Sequence, residues 1–185
     1  MHSHFRYDHD ERMKITKPDL ILKRAGLKAG MTFLDIGAND GFFTIEAAKI
    51  LGQTGQVMAV DINQQALTAL SKKLQASKLN NVQIFTSKAE DFMPKKHLAD
   101  IIFYSICLHD FADPKLALLN ARQLLKTSGI IYDYDWRADS LISIGPPHSI
   151  RLSKEDVTKL AQEVGLKVIS AYDLDRHFYE VIIGQ

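Results

Sequence analysis

The sequence has few of the features that would place it in several protein classes. It has one cysteine, Cys107, among 185 residues. An internal disulfide therefore cannot form, and we expect a cytoplasmic protein. No apolar run approaches the roughly 20 residues of a membrane-spanning helix, and the polar N-terminus lacks the apolar stretch of a signal peptide. The sequence therefore predicts no association with a membrane.

An excess of charge of one sign is also missing. The chain carries 23 Lys and Arg against 22 Asp and Glu, for a formal net charge of +1. This balance gives no basic field to attract nucleic acid, which is not an expected partner. The hydrophobic fraction is 46%, and this length is enough for one globular domain with a sizeable core. We therefore treat residues 1–185 as a single domain.

Apolar, β-branched runs alternate with helical patterns along most of the chain. This order predicts a parallel α/β sheet that is covered by helices on both faces. The predicted strands are 32–37, 56–62, 82–87, 100–106 and 129–136, and the predicted helices lie near 41–51, 63–78 and 113–126. Asp113 is a candidate N-cap for the last of these helices, with Pro114 at its first position.

The end of the chain has a different pattern. A helix near 153–164 begins at Ser153, with Asp156 three residues on as in a capping box. Two strand-like runs, 166–174 and 177–185, then follow with only two residues between them. Because a parallel crossover needs a dozen or more residues, these strands are expected to form an antiparallel hairpin. The sequence thus predicts a doubly wound, seven-stranded sheet with five parallel strands and a C-terminal antiparallel hairpin.

The loop after the first strand, "LDIGANDGFFT", is the first place to expect a ligand, because such sheets bind ligands beyond the carboxyl ends of their strands. A dinucleotide fingerprint needs glycines at positions 1, 3 and 6. Counted from Gly37, the other two positions hold Asn39 and Phe42, so that fingerprint fails. Asn tolerates a positive φ better than any residue but Gly. Asn39 is therefore interpreted as a tolerated replacement, and a loop that no longer binds is the alternative.

Four segments together resemble the class I S-adenosylmethionine-dependent methyltransferases. "FLDIGANDGFFT" resembles the first motif of that family, D-x-G-x-G-x-G, and "VMAVDIN" resembles the second. "SKAEDF" is similar to the segment that contacts adenine. "ADIIFYSICLHDF" and the residues that follow it resemble the fourth strand, the next helix and the fifth strand. The resemblance covers nearly the whole chain, and it implies a Rossmann-like fold with S-adenosylmethionine as the cofactor.

The resemblance and the chemistry of the loop together give a set of cofactor-binding residues. Gly37 and Gly41 let the backbone approach a ligand, and the helix expected after Gly41 offers N–H groups to the methionine carboxylate. Asp35 is expected to accept from the methionine ammonium or to orient the loop, and Asp61 to accept from both ribose hydroxyls. The predicted cofactor-binding residues are Asp35, Gly37, Ala38, Asn39, Gly41, Asp61, Ile62, Ala89, Glu90 and Ser105.

The adenine segment departs from the family pattern at one position. Lys88 stands where many members have an acidic residue that accepts from the adenine amino group, and lysine cannot accept. Either Glu90 or Asp91 is expected to take that place, with the Ala89 backbone N–H as a second contact.

The acceptor side of the site is predicted from residues near the fourth strand and from two irregular segments. His109 is the candidate general base, because its pKa lies near working pH; its alternatives are orienting an acceptor or capping the next helix. Tyr7, Arg12 and Arg151 join His109 as candidate acceptor contacts. Tyr7 and Arg12 come from a predicted N-terminal lid or helix over 1–28, and Arg151 from a possible active-site loop over 140–153.

A metal site is not predicted. Asp133 and Asp135 end the fifth strand and could form an oxygen-rich site with Asp110 or His109, but the spacing does not single out a ligand set.

The predicted function is methyl transfer from S-adenosylmethionine to a small-molecule acceptor that the sequence does not identify, by a monomer or homodimer. An amino group of a nucleic-acid base is disfavoured, because the Asn-Pro-Pro-Tyr/Phe motif that often serves it is replaced by "YSICLHD". Arsenite methylation needs several thiolates, and the chain has one. Two alternatives stay open: an aminopropyltransferase-like enzyme, and a non-catalytic S-adenosylmethionine-binding or regulatory subunit.

Overall fold

The computed structural model describes residues 16–94, 96, 98–140 and 145–185. Within these residues the strands are β1 Thr32–Ile36, β2 Gln56–Asp61, β3 Val82–Thr86, β4 Ala99–Ser105, β5 Leu125–Trp136, β6 Lys167–Asp173 and β7 Phe178–Gly184. The α-helices are α1 Pro18–Arg24, α2 Thr44–Leu51, α3 Gln64–Ala76, α4 Pro114–Leu124 and α5 Lys154–Glu163. Single turns of 3₁₀ helix span Leu108–Asp110 and His148–Ile150.

The strands form one seven-stranded sheet in the order β3-β2-β1-β4-β5-β7-β6. β1 to β5 pair in parallel, and β7 lies antiparallel to both β5 and β6. The predicted fold class is thereby confirmed, including the terminal hairpin. The order reverses between β1 and β4, and this reversal opens a crevice at the carboxyl ends of the strands.

Helices cover both faces of the sheet, and alternate strand residues supply the two cores. On one face α1 and α2 pack against residues such as Phe33 of β1 and Phe103 of β4, and α3 packs against β2. On the other face α4 and α5 pack against residues such as Leu34 and Ile102. All four of these side chains are fully buried, so each central strand is apolar on both sides, as its sequence predicted.

The helix ends follow local chemistry. Asp113 caps α4 by accepting from the Leu116 N–H, with Pro114 at the first helical position. Ser153 and Asp156 form a complete capping box at α5. Both caps were predicted from the sequence.

Two predicted boundaries were wrong, and a glycine explains each of them. The helix expected from residue 41 begins at Thr44, because Gly41 has φ +89°, which is not helical. The fifth strand begins at Leu125 rather than residue 129. A Cβ on Gly129 would lie 2.9 Å from the carbonyl oxygens of both Ala99 and Asp100. Gly129 therefore lets β5 continue past an irregularity in its pairing with β4.

In the part of the chain that the structure describes, no helix is both long enough and apolar enough to cross a membrane. Of the predicted N-terminal segment 1–28, the described part contains α1, whose Leu22 is fully buried.

Candidate functional site

A cavity of about 680 Å³ lies at the carboxyl ends of β1, β2 and β4. It is the crevice expected where the strand order reverses. The structure brings these predicted cofactor residues to its wall: Gly37, Asn39, Asp61, Ile62, Ala89, Glu90 and Ser105. His109, the predicted base, lines the same cavity. The candidate cofactor and acceptor residues therefore share one space.

The loop after β1 has a backbone that few residues can adopt. Gly37 has φ +79° and Asn39 has φ +49°, so Asn39 does occupy a left-handed conformation, which asparagine tolerates. A Cβ on Gly37 would lie 2.8 Å from the Cβ of Cys107. The loop after β1 and the loop after β4 thus meet at a position where only glycine fits.

Most of the N–H groups in this loop already have acceptors within the protein. The Gly37 and Ala38 N–H groups donate to the Val60 carbonyl, and the Gly41 N–H donates to the Ala38 carbonyl. α2 begins at Thr44, three residues after Gly41. The expectation that its N-terminal N–H groups bind the methionine carboxylate stays a prediction.

Asp61 at the end of β2 is tied to the same loop. Its Oδ2 accepts the Asn39 N–H at 2.8 Å, and its Oδ1 accepts the Asn63 N–H at 2.7 Å. These bonds fix the carboxylate at the cavity wall and leave further lone pairs on both oxygens. The side chain is thus pre-oriented to accept two more hydrogen bonds, such as those of a ribose diol.

The adenine segment lies on the wall beyond β3. Ala89 is buried, whereas Lys88 is exposed. The Glu90 carboxylate accepts the Asp113 N–H at 3.3 Å, and the Glu90 carbonyl accepts from the Asn120 side chain. Glu90 is therefore held from two sides beside the cavity, while Asp91 is exposed and is not part of its wall.

Three predicted cofactor residues, Asp35, Ala38 and Gly41, are not part of the wall. Asp35 is buried and accepts the Thr44 hydroxyl at 2.5 Å, which fits loop orientation, one of its two predicted tasks. Gly41 lies against α3, where an added Cβ would meet Leu70 at 2.3 Å. These three residues therefore contribute to the conformation of the loop without lining the cavity.

The loop after β4 contains a strained residue that sequence reasoning missed. Ile106 has φ +54°, a rare conformation for a β-branched residue. Such strain is concentrated at functional sites. Just before it, Ser105 lines the cavity, and its hydroxyl is buried without a hydrogen-bond partner among the described residues. No sequence signal marks Ile106, because its residue type argues against this backbone.

His109 follows in the 3₁₀ turn, and its side chain is only 3% exposed. Its Nδ1 lies 2.7 Å from Oδ2 of Asp135, and its Nε2 lies 3.6 Å from Oδ2 of Asp110. Burial lowers the pKa of His109, but attraction by Asp135, then by Asp110 and Asp133, outweighs it, so the net pKa is raised above 6.5.

The two carboxylates of β5 have different surroundings. Asp135 accepts from His109 and from the Trp136 N–H. Asp133 is fully buried beside the Tyr179 hydroxyl, and the two form no well-aligned hydrogen bond. Burial, and then the neighbouring Asp135, raise the pKa of Asp133 well above its ordinary value, although the Tyr179 hydroxyl acts in the opposite direction. Within the described residues, no group of three or more His, Cys, Asp or Glu could hold a metal ion.

Arg151 is not part of the cavity wall. Its guanidinium donates to the carbonyls of Pro146 and Arg137 and lies 5.5 Å from the ring centroid of Trp136. Arg151 therefore packs against Trp136, which does line the cavity. The predicted contact of Arg151 with the acceptor stays a prediction. The other predicted acceptor contacts, Tyr7 and Arg12, lie outside the described residues.

The residues present fit the predicted cofactor on two observations. A left-handed loop whose Gly37 admits no Cβ borders the cavity, and Ser105 on the cavity wall has a buried hydroxyl without a hydrogen-bond partner among the described residues. Asp61 lies at the end of β2, on the other side of that loop from Ser105, and has lone pairs to spare. This is a donor and acceptor set suited to a nucleoside that carries an amino-acid chain.

Comparison with known proteins gives the family. A family model described as a methyltransferase domain matches residues 27–175. The chain belongs to this methyltransferase family, as its motifs predicted. In fold, it resembles a SAM-dependent methyltransferase from Aquifex aeolicus with a TM-score of 0.87 and 24% identity, over 96% of this chain and 98% of that one. It also resembles the [4+2]-cyclase SpnF, with a TM-score of 0.79 and 14% identity, over 100% and 87% of the two chains.

Curated relatives match over shorter stretches. A probable cobalt-precorrin-6B C(15)-methyltransferase (decarboxylating) of Sulfolobus acidocaldarius is 34% identical over 89 residues, 46% of each chain. A ubiquinone/menaquinone biosynthesis C-methyltransferase of Vibrio vulnificus is 32% identical over 106 residues, 57% of this chain and 41% of the relative. The chain thus spans less than half the length of either relative in these matches.

Proposed function

We propose that this protein transfers a methyl group from S-adenosylmethionine to a small-molecule acceptor. The observation that carries the proposal is the single cavity that joins Asp61 and the glycine loop at one end to His109 at the other. The family membership supports the reaction class. The names of the curated relatives, a probable cobalt-precorrin-6B C(15)-methyltransferase and a ubiquinone/menaquinone biosynthesis C-methyltransferase, support a small acceptor.

The binding roles follow from the positions of the side chains. Asp61 would accept from the ribose hydroxyls, the segment from Lys88 to Glu90 would border the adenine ring, and Ser105 would donate to or accept from the amino-acid part. When bound, S-adenosylmethionine supplies a methyl group on a positively charged sulfur, which leaves as a neutral thioether. His109 would hold the acceptor and remove its proton.

The chemistry asked of the protein is mostly alignment and exclusion of water. Trp136 and Phe111 line the acceptor end of the cavity and give it apolar walls. Pro146 of the predicted active-site loop and Thr16 of the N-terminal segment also line the cavity. We further propose that residues 1–185 act as one domain, in the cytoplasm, as a monomer or homodimer.

Calorimetric titration tests the cofactor assignment. The purified protein is titrated in parallel with S-adenosylmethionine, S-adenosylhomocysteine and NAD. We expect micromolar binding of the first two and none of NAD. Asp61→Ala should weaken both by about 100-fold, since two hydrogen bonds to a charged group are lost. Asp91→Ala, an exposed carboxylate outside the cavity wall, is the matched control and should bind normally.

A second step separates an enzyme from a binding subunit. Protein that binds the methyl donor is screened for transfer of labelled methyl groups to a panel of small phenols, enols and amines. Transfer by the wild type that is lost in Asp61→Ala supports the proposal. Tight binding without transfer to any acceptor would instead favour the non-catalytic subunit, and failure to bind either adenosyl compound would refute the cofactor assignment.

A further inference from the structure

The surroundings of His109 determine which of its nitrogens can act as a base. Oδ1 of Asp135 accepts the Trp136 N–H at 2.7 Å, and Oδ2 of Asp135 lies 2.7 Å from Nδ1 of His109. Because a carboxylate only accepts, Nδ1 is assigned as the protonated nitrogen. In the neutral imidazole, the lone pair is then on Nε2. Asp135 therefore acts as a positioning residue that fixes both the ring and its tautomer.

The same surroundings favour the charged imidazolium. Three carboxyl groups face His109: Asp133 and Asp135 from β5, and Asp110 from the 3₁₀ turn. His109 is nearly inaccessible, so water screens these interactions weakly. An imidazolium has no lone pair and cannot remove a proton. The unliganded site thus tends to keep its own base in the inactive form.

We propose that the base is activated by the charge of the methyl donor: His109 gives up its Nε2 proton when a positively charged cofactor enters the cavity, and neutral Nε2 then takes the proton of the acceptor. This inference rests on the proposed function. Its physical basis is that a second positive charge in a poorly screened cavity disfavours the imidazolium.

The acceptor supplies the proton that returns His109 to its charged form. As the acceptor reacts, its O–H bond breaks, the proton forms an N–H bond at Nε2, and the oxygen keeps the electron pair that bonds to the methyl carbon. The positive charge that leaves sulfur reappears on His109, where Asp135 stabilises it. The neutral product no longer opposes the imidazolium.

This arrangement points to a class of acceptor. A general base works best when its pKa lies near the working pH. A neutral imidazole takes a proton from a phenol or enol hydroxyl more readily than from an aliphatic alcohol, which is a much weaker acid. A tertiary amine or a thioether has no proton to lose, so it would make the pair of His109 and Asp135 unnecessary. We therefore assign a phenol- or enol-type hydroxyl as the acceptor group.

Proton release on binding tests the inference without an acceptor. S-adenosylmethionine and S-adenosylhomocysteine are titrated calorimetrically at about pH 7.5 in two buffers that differ in ionisation enthalpy. We expect more protons to be released with the charged ligand than with the neutral one. His109→Gln should abolish this difference. His148→Gln, an exposed histidine outside the cavity wall, is the matched control and should preserve it.

Asp135→Asn adds a second variant that does not remove the imidazole. Without the carboxylate, His109 should already be neutral before the ligand binds, so the difference in proton release should also vanish while the ligand still binds. Equal proton release with the two ligands in the wild type would overturn the inference. So would a difference that persists in His109→Gln.

A measurement that needs no ligand separates this inference from the proposed function. Nitrogen-15 chemical shifts of His109 followed against pH give its tautomer and pKa in the free protein. We expect the Nδ1–H tautomer, a pKa above 6.5, and a clear fall of that pKa in Asp135→Asn. An Nε2–H tautomer, or a pKa of His109 that is unchanged in the variant, would refute the claim that Asp135 positions His109. This result would hold whether or not the cofactor binds.

Discussion

Two regions of the site differ in how their polar groups are satisfied. At the end of β2, the Asp61 carboxylate accepts two backbone N–H groups. At the ends of β4 and β5, the Ser105 hydroxyl and the Asp133 carboxylate are buried and form no well-aligned hydrogen bond among the described residues. Buried polar groups without partners are rare in proteins because they reduce stability. The loops after β1 and β2 are thus fixed by backbone hydrogen bonds before any ligand arrives, whereas the ends of β4 and β5 keep uncompensated groups.

This difference separates two kinds of predicted effect. Substitutions that disturb the close-packed backbone of the first region should cost stability. Substitutions that remove the unsatisfied groups of the second region should preserve or raise stability and impair only the chemistry or binding.

The largest effect is expected from Gly37→Ala. The substitution places a methyl group 2.8 Å from the Cys107 side chain, at φ +79°, and we expect it to lower the free energy of unfolding by about 3 kcal/mol. Gly26→Ala is a matched control, because Gly26 has φ +76° and nothing within 4 Å of the added carbon. It should cost only about 1 kcal/mol. Urea denaturation measures both, and equal losses would contradict the packing argument.

Asp133→Asn should have the opposite sign. Burial raises the folded-state pKa of Asp133 above its ordinary value of 3.8. The wild type therefore loses stability as the pH rises above about 4, where the unfolded chain ionises freely. At neutral pH the variant should be more stable by about 2 kcal/mol, with the gain vanishing near pH 3.

The control for this prediction is Asp135→Asn, which removes a carboxylate that does have partners and should destabilise the protein at neutral pH. Denaturant midpoints measured from pH 3 to 8 give both results. A loss of stability in Asp133→Asn at pH 7 would show that this carboxylate has a partner.

A smaller effect is expected at Ser105. Ser105→Ala removes a hydroxyl that bonds to nothing among the described residues, so the free energy of unfolding should change by less than about 0.5 kcal/mol. The affinity for S-adenosylmethionine should nevertheless fall about five- to tenfold if the ligand is what satisfies this group. Calorimetric titration of the variant with S-adenosylmethionine measures this change. An unchanged affinity would show that the Ser105 hydroxyl does not bind the cofactor.

The smallest effect is expected from Asn39→Gly. The main-chain N–H of residue 39 keeps its bond to Asp61, and glycine adopts φ +49° at least as readily as asparagine. Stability and cofactor affinity should both stay within about 0.5 kcal/mol of the wild type. A tenfold loss of affinity would show that the Asn39 side chain itself contacts the ligand.

The sequence predicted the fold well because its signals are local. Apolar runs alternating with helical patterns identified the strands, and the short gap after residue 174 required a hairpin. The predicted starts of α2 and β5 were wrong because each depends on the backbone conformation or the tertiary contacts of a glycine. Gly129 resembles a turn residue in the sequence, but in the fold it relieves a close approach of β4 to β5.

The residues of the site also divide into those that local sequence patterns predict and those that depend on tertiary structure. Asp61 and the glycine loop follow from residue types at fixed spacing, so their neighbourhood was predictable. The pairing of His109 with Asp135 joins residues 26 positions apart and depends on the register of β4 against β5, which no local pattern gives. Ile106 was unpredictable for the opposite reason, because its β-branched side chain disfavours the backbone it adopts.

The single cysteine of the chain provides a reporter that needs no engineering. Cys107 lines the cavity, touches the position where Gly37 lacks a side chain, and donates from Sγ to the Ile36 carbonyl at 3.1 Å. Burial raises the pKa of its thiol, so alkylation should be slow and confined to one site. The rate at which a small thiol reagent labels the native protein should therefore follow the occupancy of the cavity directly, ligand by ligand.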